Sequence, residues 1–143
     1  MARVLAIDPG SRRVGIAISD PTGSVATPLD WMPAEPSSTL VERLAQRARD
    51  EEAGELVVGL PWRLDGSQGP EARAARQLAA ELRRASGLPV HLVDERLTSV
   101  AAERALIAAG EKRRRRRELS DKVAAALLLQ GHLDARSRGG RRG

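Results

Sequence analysis

The chain begins with short apolar runs broken by turn residues, then changes to a helical repeat. Val4 to Ile7 is an apolar run of strand length. Asp8-Pro9-Gly10-Ser11 reads as a turn, because Pro presets φ and Gly accepts positive φ. Val14 to Ser19 reads as a second strand, antiparallel to the first. Asp20 to Gly23 forms the next turn, and Ser24 to Leu29 a third strand. Thr39 and Glu42 have capping-box spacing, so a helix is expected there, with Leu40, Leu44, Ala45 and Ala48 inward and Gly54 as its stop. Leu56 to Leu60 is apolar throughout, the pattern of a strand covered on both faces. Pro61 to Gly69 is a loop. Pro70 suits the first position of a second helix, whose inward stripe is Ala75, Leu78, Ala79 and Leu82 and whose end is Gly87. Val90 to Val93 is the fifth strand. Thr98 or Ser99 caps a third helix that ends at Gly110, a basic loop follows, and a last helix runs from near Ser120 to near Ala135. The order βββ-α-β-α-β-α-α predicts an α/β fold with a mixed five-stranded sheet flanked by helices. Residues 1–135 form the expected domain, and the Arg/Gly/Ser-rich tail 136–143 is expected to be disordered.

Length and composition narrow the picture. A chain of 143 residues is one domain by length and buries roughly 68–70% of its unfolded surface. With no Cys, disulfides, zinc thiolates and thiol nucleophiles are excluded. No apolar run approaches the ~18 residues of a membrane span, and the start lacks a signal layout, so a cytoplasmic protein is expected. Phe and Tyr are absent and there are two Trp, which excludes a surface built from many stacking aromatics. The net charge of +5 is unevenly placed. Lys112 to Arg117 is wholly basic, and Arg136, Arg138, Arg141 and Arg142 lie in an acid-free tail. The rest of the chain is mildly acidic, an arrangement suited to a polyanion held beside an acidic pocket.

Three stretches carry carboxylates at element boundaries. Asp8 ends the first strand and precedes a Gly-containing turn, where a phosphate or metal can approach the backbone. Asp94 and Glu95 end the fifth strand; alternation lets only one of them share a pocket with Asp8, and periodicity does not choose between them. Asp121 starts the last helix on the same face as Ala124, Ala125 and Leu128. Acids brought together in this way repel, and a pair of Mg²⁺ or Mn²⁺ ions would relieve that cost. Two such ions can cut a phosphodiester without a His or Ser nucleophile, so His91 and His132 read as ordinary strand and helix residues.

Taken together, these motifs resemble the YqgF family, described provisionally as pre-16S rRNA nucleases and Holliday junction resolvase-like proteins, similar in fold to ribonuclease H and to the RuvC resolvase. The family's opening motif, D-x-G-x-x-R-x-G-x-A-x-S-D, is matched by Asp8, Gly10, Arg13, Gly15, Ala17, Ser19 and Asp20. The stretch Val57 to Pro61 with Asp65 and Gly66, the sequence Asp94 to Thr98, and the set Asp121, Ala124 and Ala125 match three further motifs. The resemblance runs from Val4 to Asp134. It implies a ribonuclease H-like fold and an acidic, metal-holding triad of Asp8, Glu95 and Asp121, and it selects Glu95 over Asp94. Trp62, Arg63 and Ser120 depart from the family's usual residues.

Arg13, Arg96, Lys112, Arg113, Arg114, Arg115, Arg116 and Arg117 are candidate phosphate contacts. Arg96 has a second reading, as an ion-pair partner of Asp94. Trp62 is a candidate stacking residue for an unpaired base, or a cover for a hydrophobic edge. The expected activity is a metal-dependent endonuclease on structured nucleic acid. The resemblance points first to the 16S rRNA precursor, with a ribosomal particle as a further partner, and second to branched DNA. A monomer or homodimer is expected; a resolvase, which cuts symmetrically, needs a dimer with two sites, and the sequence shows no obvious dimer seam. A non-catalytic nucleic-acid-binding module is the competing class. An actin-like phosphotransferase is disfavoured, because it needs two such domains.

Overall fold

The computed structural model describes residues 2–61, 65–95 and 113–140; over 113–122 and 138–140 it describes the backbone. Five strands form one sheet: β1 (Arg3–Asp8), β2 (Arg13–Ser19), β3 (Ala26–Pro33), β4 (Ala53–Leu60) and β5 (Val90–Asp94), in the order β3-β2-β1-β4-β5. β1 pairs antiparallel with β2 and β2 with β3, whereas β1, β4 and β5 run parallel. Three described helices, α1 (Ser37–Asp50), α2 (Pro70–Ser86) and α3 (Arg113–Gly140), complete the fold. The α/β class and the mixed five-stranded sheet are as expected. The helix expected between Thr98 and Gly110 lies outside the described residues. Among the described residues, no helix is long and apolar enough to cross a membrane.

Alternation along the strands sorts the core into two layers. Leu5 and Ile7 of β1, Val14, Ile16 and Ile18 of β2, and Leu56, Val58 and Leu60 of β4 pack against Leu44 and Ala48 of α1 and Ala75, Ala79 and Leu82 of α2. The intervening residues Val4, Ala6, Ala17 and Val57 pack on the other side against Ala125, Leu129 and Leu133 of α3. Small residues on that face let the helix approach the sheet closely. Leu133 lies in the cluster with Val4, while Ala124 and Leu128 pack with Val93. The N-terminal half of α3 is therefore directed to the edge where β1, β4 and β5 end.

Several expected boundaries move, for local reasons. The first helix starts at Ser37 behind Pro36, not at Thr39, whose hydroxyl donates back to the Pro36 carbonyl at 3.2 Å. Gly54 is not its stop. Glu52 takes the left-handed conformation (φ 57°), and Gly54 lies in β4, where a Cβ would stand 2.1 Å from that of Ala2. The second helix keeps Pro70 at its start and Gly87, left-handed at φ 71°, at its end, as expected. The third strand runs from Ala26 to Pro33 instead of from Ser24 to Leu29; it stays paired with β2 as far as Arg13, past a register shift between Ile16 and Ala17. The basic stretch is not a loop over Arg113 to Arg117: these residues are already in α3, which also passes the expected stop near Ala135.

Candidate active site

The site is built at the C-terminal ends of the parallel strands. Asp8 is the last residue of β1 and is 3% exposed. Its neighbour across β2 is Gly15, and Gly59 is one residue past the Ile7↔Val58 pair in β4. Gly59 occupies the small space between three side chains. A Cβ there would lie 3.1 Å from Glu95 Oε1, 3.2 Å from Asp8 Oδ1 and 3.1 Å from Leu128 Cδ2. Both carboxylates thus converge on one point, and their oxygens are at most about 6 Å apart.

The tie between Asp94 and Glu95 is broken by the same alternation. Asp94 pairs with Leu60, whose side chain belongs to the α1/α2 core. Val93 pairs with Gly59 and packs under α3. Glu95 follows Asp94 by one residue, which returns it to the α3 face with Asp8. Asp121 lies in α3, two turns before Leu128 on the same helical face, about 10 Å along the axis toward this edge. Its backbone is described and its side chain is not. Trp62, Arg96 and Lys112 lie outside the described residues, and Arg113, Arg114, Arg115, Arg116 and Arg117 are placed by backbone alone, on the first turns of α3.

The opening motif divides into site and scaffold. A Cβ on Gly10 would stand 2.4 Å from the Arg13 carbonyl oxygen, so the turn after Asp8 closes only without a side chain. Ser19 is buried; its Oγ accepts from Val4 N at 2.8 Å and donates to Asp20 O at 3.0 Å, tying β2 to β1. Asp20 Oδ1 accepts from Ser24 N and Val25 N, both at 2.8 Å, and Oδ2 accepts from Thr22 Oγ1. The Thr22 hydroxyl and these two amides hold the Asp20 carboxyl down to about 2. Arg13 does not lie over the acids. Its guanidinium carbon sits 4.9 Å above the Trp31 ring.

A second polar group was missed in the sequence. Glu55 Oε1 accepts from Arg136 Nη2 at 2.5 Å, and Glu55 Oε2 is 2.9 Å from His91 Nε2. Arg136 Nη2 also donates to His132 Nε2 at 3.2 Å, and the two imidazoles stack at 5.8 Å. A guanidinium only donates, so this contact favours the neutral imidazole of His132. Burial first, then Arg136 and His91, push its pKa down against the opposing pull of Glu55. Burial raises Glu55, but the Arg136 hydrogen bond and charge, followed by those of His91, bring it below its usual value. A repeat of helical spacing from His132 to Arg136 was the available signal, but it required the helix to continue into the tail.

The donor set suits a divalent cation. Two carboxylates meet over a glycine whose missing Cβ leaves the space between them, and hard oxygen donors are what Mg²⁺ and Mn²⁺ prefer.

Among solved structures, the fold is similar to that of Thermus thermophilus RuvC in complex with a Holliday junction substrate, with a TM-score of 0.58 over 94% of this chain and 96% of that one, at 16% identity. The fold is thus ribonuclease H-like, and the relatives and family that match the chain are nucleases, hydrolases acting on phosphodiester bonds. Curated relatives sharpen the class. A provisionally named pre-16S rRNA nuclease of Roseiflexus sp. is 46% identical over 93% of this chain and 94% of its own length. Another with the same provisional name, from Pelotomaculum thermopropionicum, is 44% identical over 95% and 89%. The RuvX family, described as Holliday junction resolvase, matches residues 2–135, and the chain belongs to that family. Nucleases of this kind are generally dependent on divalent metal ions.

Proposed function

We propose that this chain is a metal-dependent endonuclease that processes the 16S rRNA precursor, with Asp8, Glu95 and Asp121 as its acidic triad. The observation that carries the reading is the approach of Asp8 and Glu95 to one point above Gly59. Carboxylates on two sides of one small space are the hard oxygen donors that a divalent cation takes. Asp8 and Glu95 would hold the metal, with Asp121 as the third ligand and a pair of Mg²⁺ or Mn²⁺ ions as the full complement. When bound, such ions activate water and stabilise the leaving oxygen of a phosphodiester.

The chain's own residues do the rest. Asp8 is fixed by its place at the end of a buried strand and by the Gly10 turn behind it. Gly59 keeps a methyl group out of the space between the acids. Leu128 closes the apolar side and excludes water from beneath them. Arg13, Arg96 and the Lys112 to Arg117 run supply positive charge for the phosphate backbone. The family match over residues 2–135 supports a nuclease domain of 1–135, with 136–143 as a basic extension. An rRNA precursor as substrate places the activity in the cytoplasm, acting as a monomer or homodimer on free RNA or a ribosomal particle.

The relatives' provisional names favour the rRNA precursor. The family's description, and the RuvC likeness in fold, favour a four-way DNA junction as the second reading. The deciding experiment measures cleavage of both substrates with Mn²⁺ or Mg²⁺, wild type beside Asp8→Asn. Cleavage by wild type alone, stopped by EDTA, supports the metal site, and the substrate cut chooses between the readings. Equal, metal-independent binding by both proteins with no cleavage would instead favour a binding module.

A further inference from the structure

Trp31 stands outside every motif used so far. It pairs with Gly15, and Gly15 pairs with Asp8, so the three lie in one row across β3, β2 and β1. Directly opposed residues point to the same side of a sheet, so Trp31 and Asp8 share a face. The neighbours confirm the side. Asp30 accepts from Arg47 of α1, and Met32 packs in the α1/α2 core, so Trp31 between them faces the other way. Two strand spacings, about 10 Å, separate the backbone of Trp31 from that of Asp8. Gly15, between them, adds no side chain to the row.

Arg13 completes the arrangement. Its guanidinium lies over the Trp31 ring, and among the described residues no carboxylate pairs with it. Both side chains are half-exposed. A flat aromatic surface takes any unpaired base by stacking, and a guanidinium beside it takes a phosphate oxygen.

We propose that Trp31 and Arg13 form a nucleotide platform beside the paired carboxylates, where an unpaired base stacks on Trp31 and its phosphate meets Arg13. The platform rests on the nuclease reading, because it gives the strand to be cut a second point of attachment next to the acids. It favours substrates with at least one unstacked nucleotide near the scissile bond over continuous duplex. The base leaves the duplex or loop and settles on the indole while the neighbouring phosphate reaches the edge where Asp8 and Glu95 meet.

The test uses fluorescence. The chain has two Trp, so Trp62→Phe leaves Trp31 as the sole indole. That protein is titrated with a short oligouridylate in EDTA, which prevents cleavage. Saturable loss of Trp31 emission is expected. Trp31→Ala should weaken binding about 5- to 150-fold, and Trp31→Phe should restore most of it. Arg13→Gln should lower the dependence of log K on log salt by about 0.7. Unchanged emission, no saturable binding, or a Trp31→Ala protein that melts earlier but binds equally overturns the platform. The fluorescence is read on an intact ring, so it stands even if Trp31→Ala does not fold. Asp8→Asn in the Trp62→Phe background separates the two readings. Quenching kept with cleavage lost supports both, whereas quenching kept with cleavage unchanged supports the platform and overturns the catalytic assignment of Asp8.

Discussion

At the start of β4, Glu55 faces cations; at its end, Gly59 leaves Asp8 facing Glu95. Both places lie on the α3 side of the same strand, four residues or about 13 Å apart. The first is a structural clasp, in which a carboxylate meets Arg136 and His91 and ties the end of α3 to the sheet. The second gathers two acids at the edge where strands end. The clasp joins a carboxylate to cationic side chains, whereas the site gathers carboxylates from two strand ends around a glycine.

Four experiments would break or sharpen this contrast. Asp8→Asn or Glu95→Gln should reduce the cleavage rate at least about 100-fold in steady-state assays with Mn²⁺ or Mg²⁺. A variant that cuts at the wild-type rate would remove its residue from the site. Gly59→Ala places a methyl group 3.1–3.2 Å from both carboxylates and from Leu128. We expect roughly 10- to 100-fold slower cleavage, through displaced acids, and a stability loss of about 1–3 kcal/mol. Full activity with the same melting point would show that the acids relax freely. At the other end of β4, Glu55→Ala should cost about 1 kcal/mol in denaturant unfolding and leave cleavage unchanged. A large loss of activity there would mean that the two ends are coupled through α3.

The smallest effect is a pH dependence. His132 has a folded pKa below its ordinary 6.5, so the unfolded chain takes up the proton first as pH falls. Its contribution to stability is present above pH 6.5 and is lost as pH falls toward the folded pKa. Glu55, also lowered, adds a loss as pH falls through its ordinary 4.5. Chemical denaturation at pH 8 and pH 5 should therefore show a smaller acid penalty for His132→Gln than for wild type. An equal penalty would remove His132 from the clasp's titration.

Much of the fold could be read from the sequence, because apolar runs and turn residues agreed. Pro70 and Gly87 framed the second helix, and the alternation of β1 and β4 fixed which side chains met which layer. The place of Asp8 at a strand end was also legible. The resemblance selected Glu95, but periodicity could not, because the choice turns on the pairing of Leu60 with Asp94, a cross-strand register that no single segment encodes. Thr39 misled because capping-box spacing is common, whereas the helix begins at Ser37 behind an extended Pro36 with no side-chain cap. The clasp was hidden because His91 and His132 are remote in sequence and Arg136 was placed in a tail. Trp31 was hidden by one residue. With the register running evenly from the Asp20 turn, Asp30 would pair with Gly15, and Trp31 would face α1. The shift between Ile16 and Ala17 moves it to the side of the acids.

The packing of α3 also sets the order in which the protein becomes competent. A chain synthesised from its N-terminus completes all five strands before the last helix exists, so among the described residues the layer of Val4, Ala6, Ala17 and Val57 gains its helical partners only when Ala125, Leu129 and Leu133 arrive. The helix that covers this surface also brings Leu128 beneath the acids. Covering the exposed face and finishing the site are thus one event. A growing or truncated chain that still lacks α3 therefore lacks both the partner of this sheet face and the leucine that lines the acids.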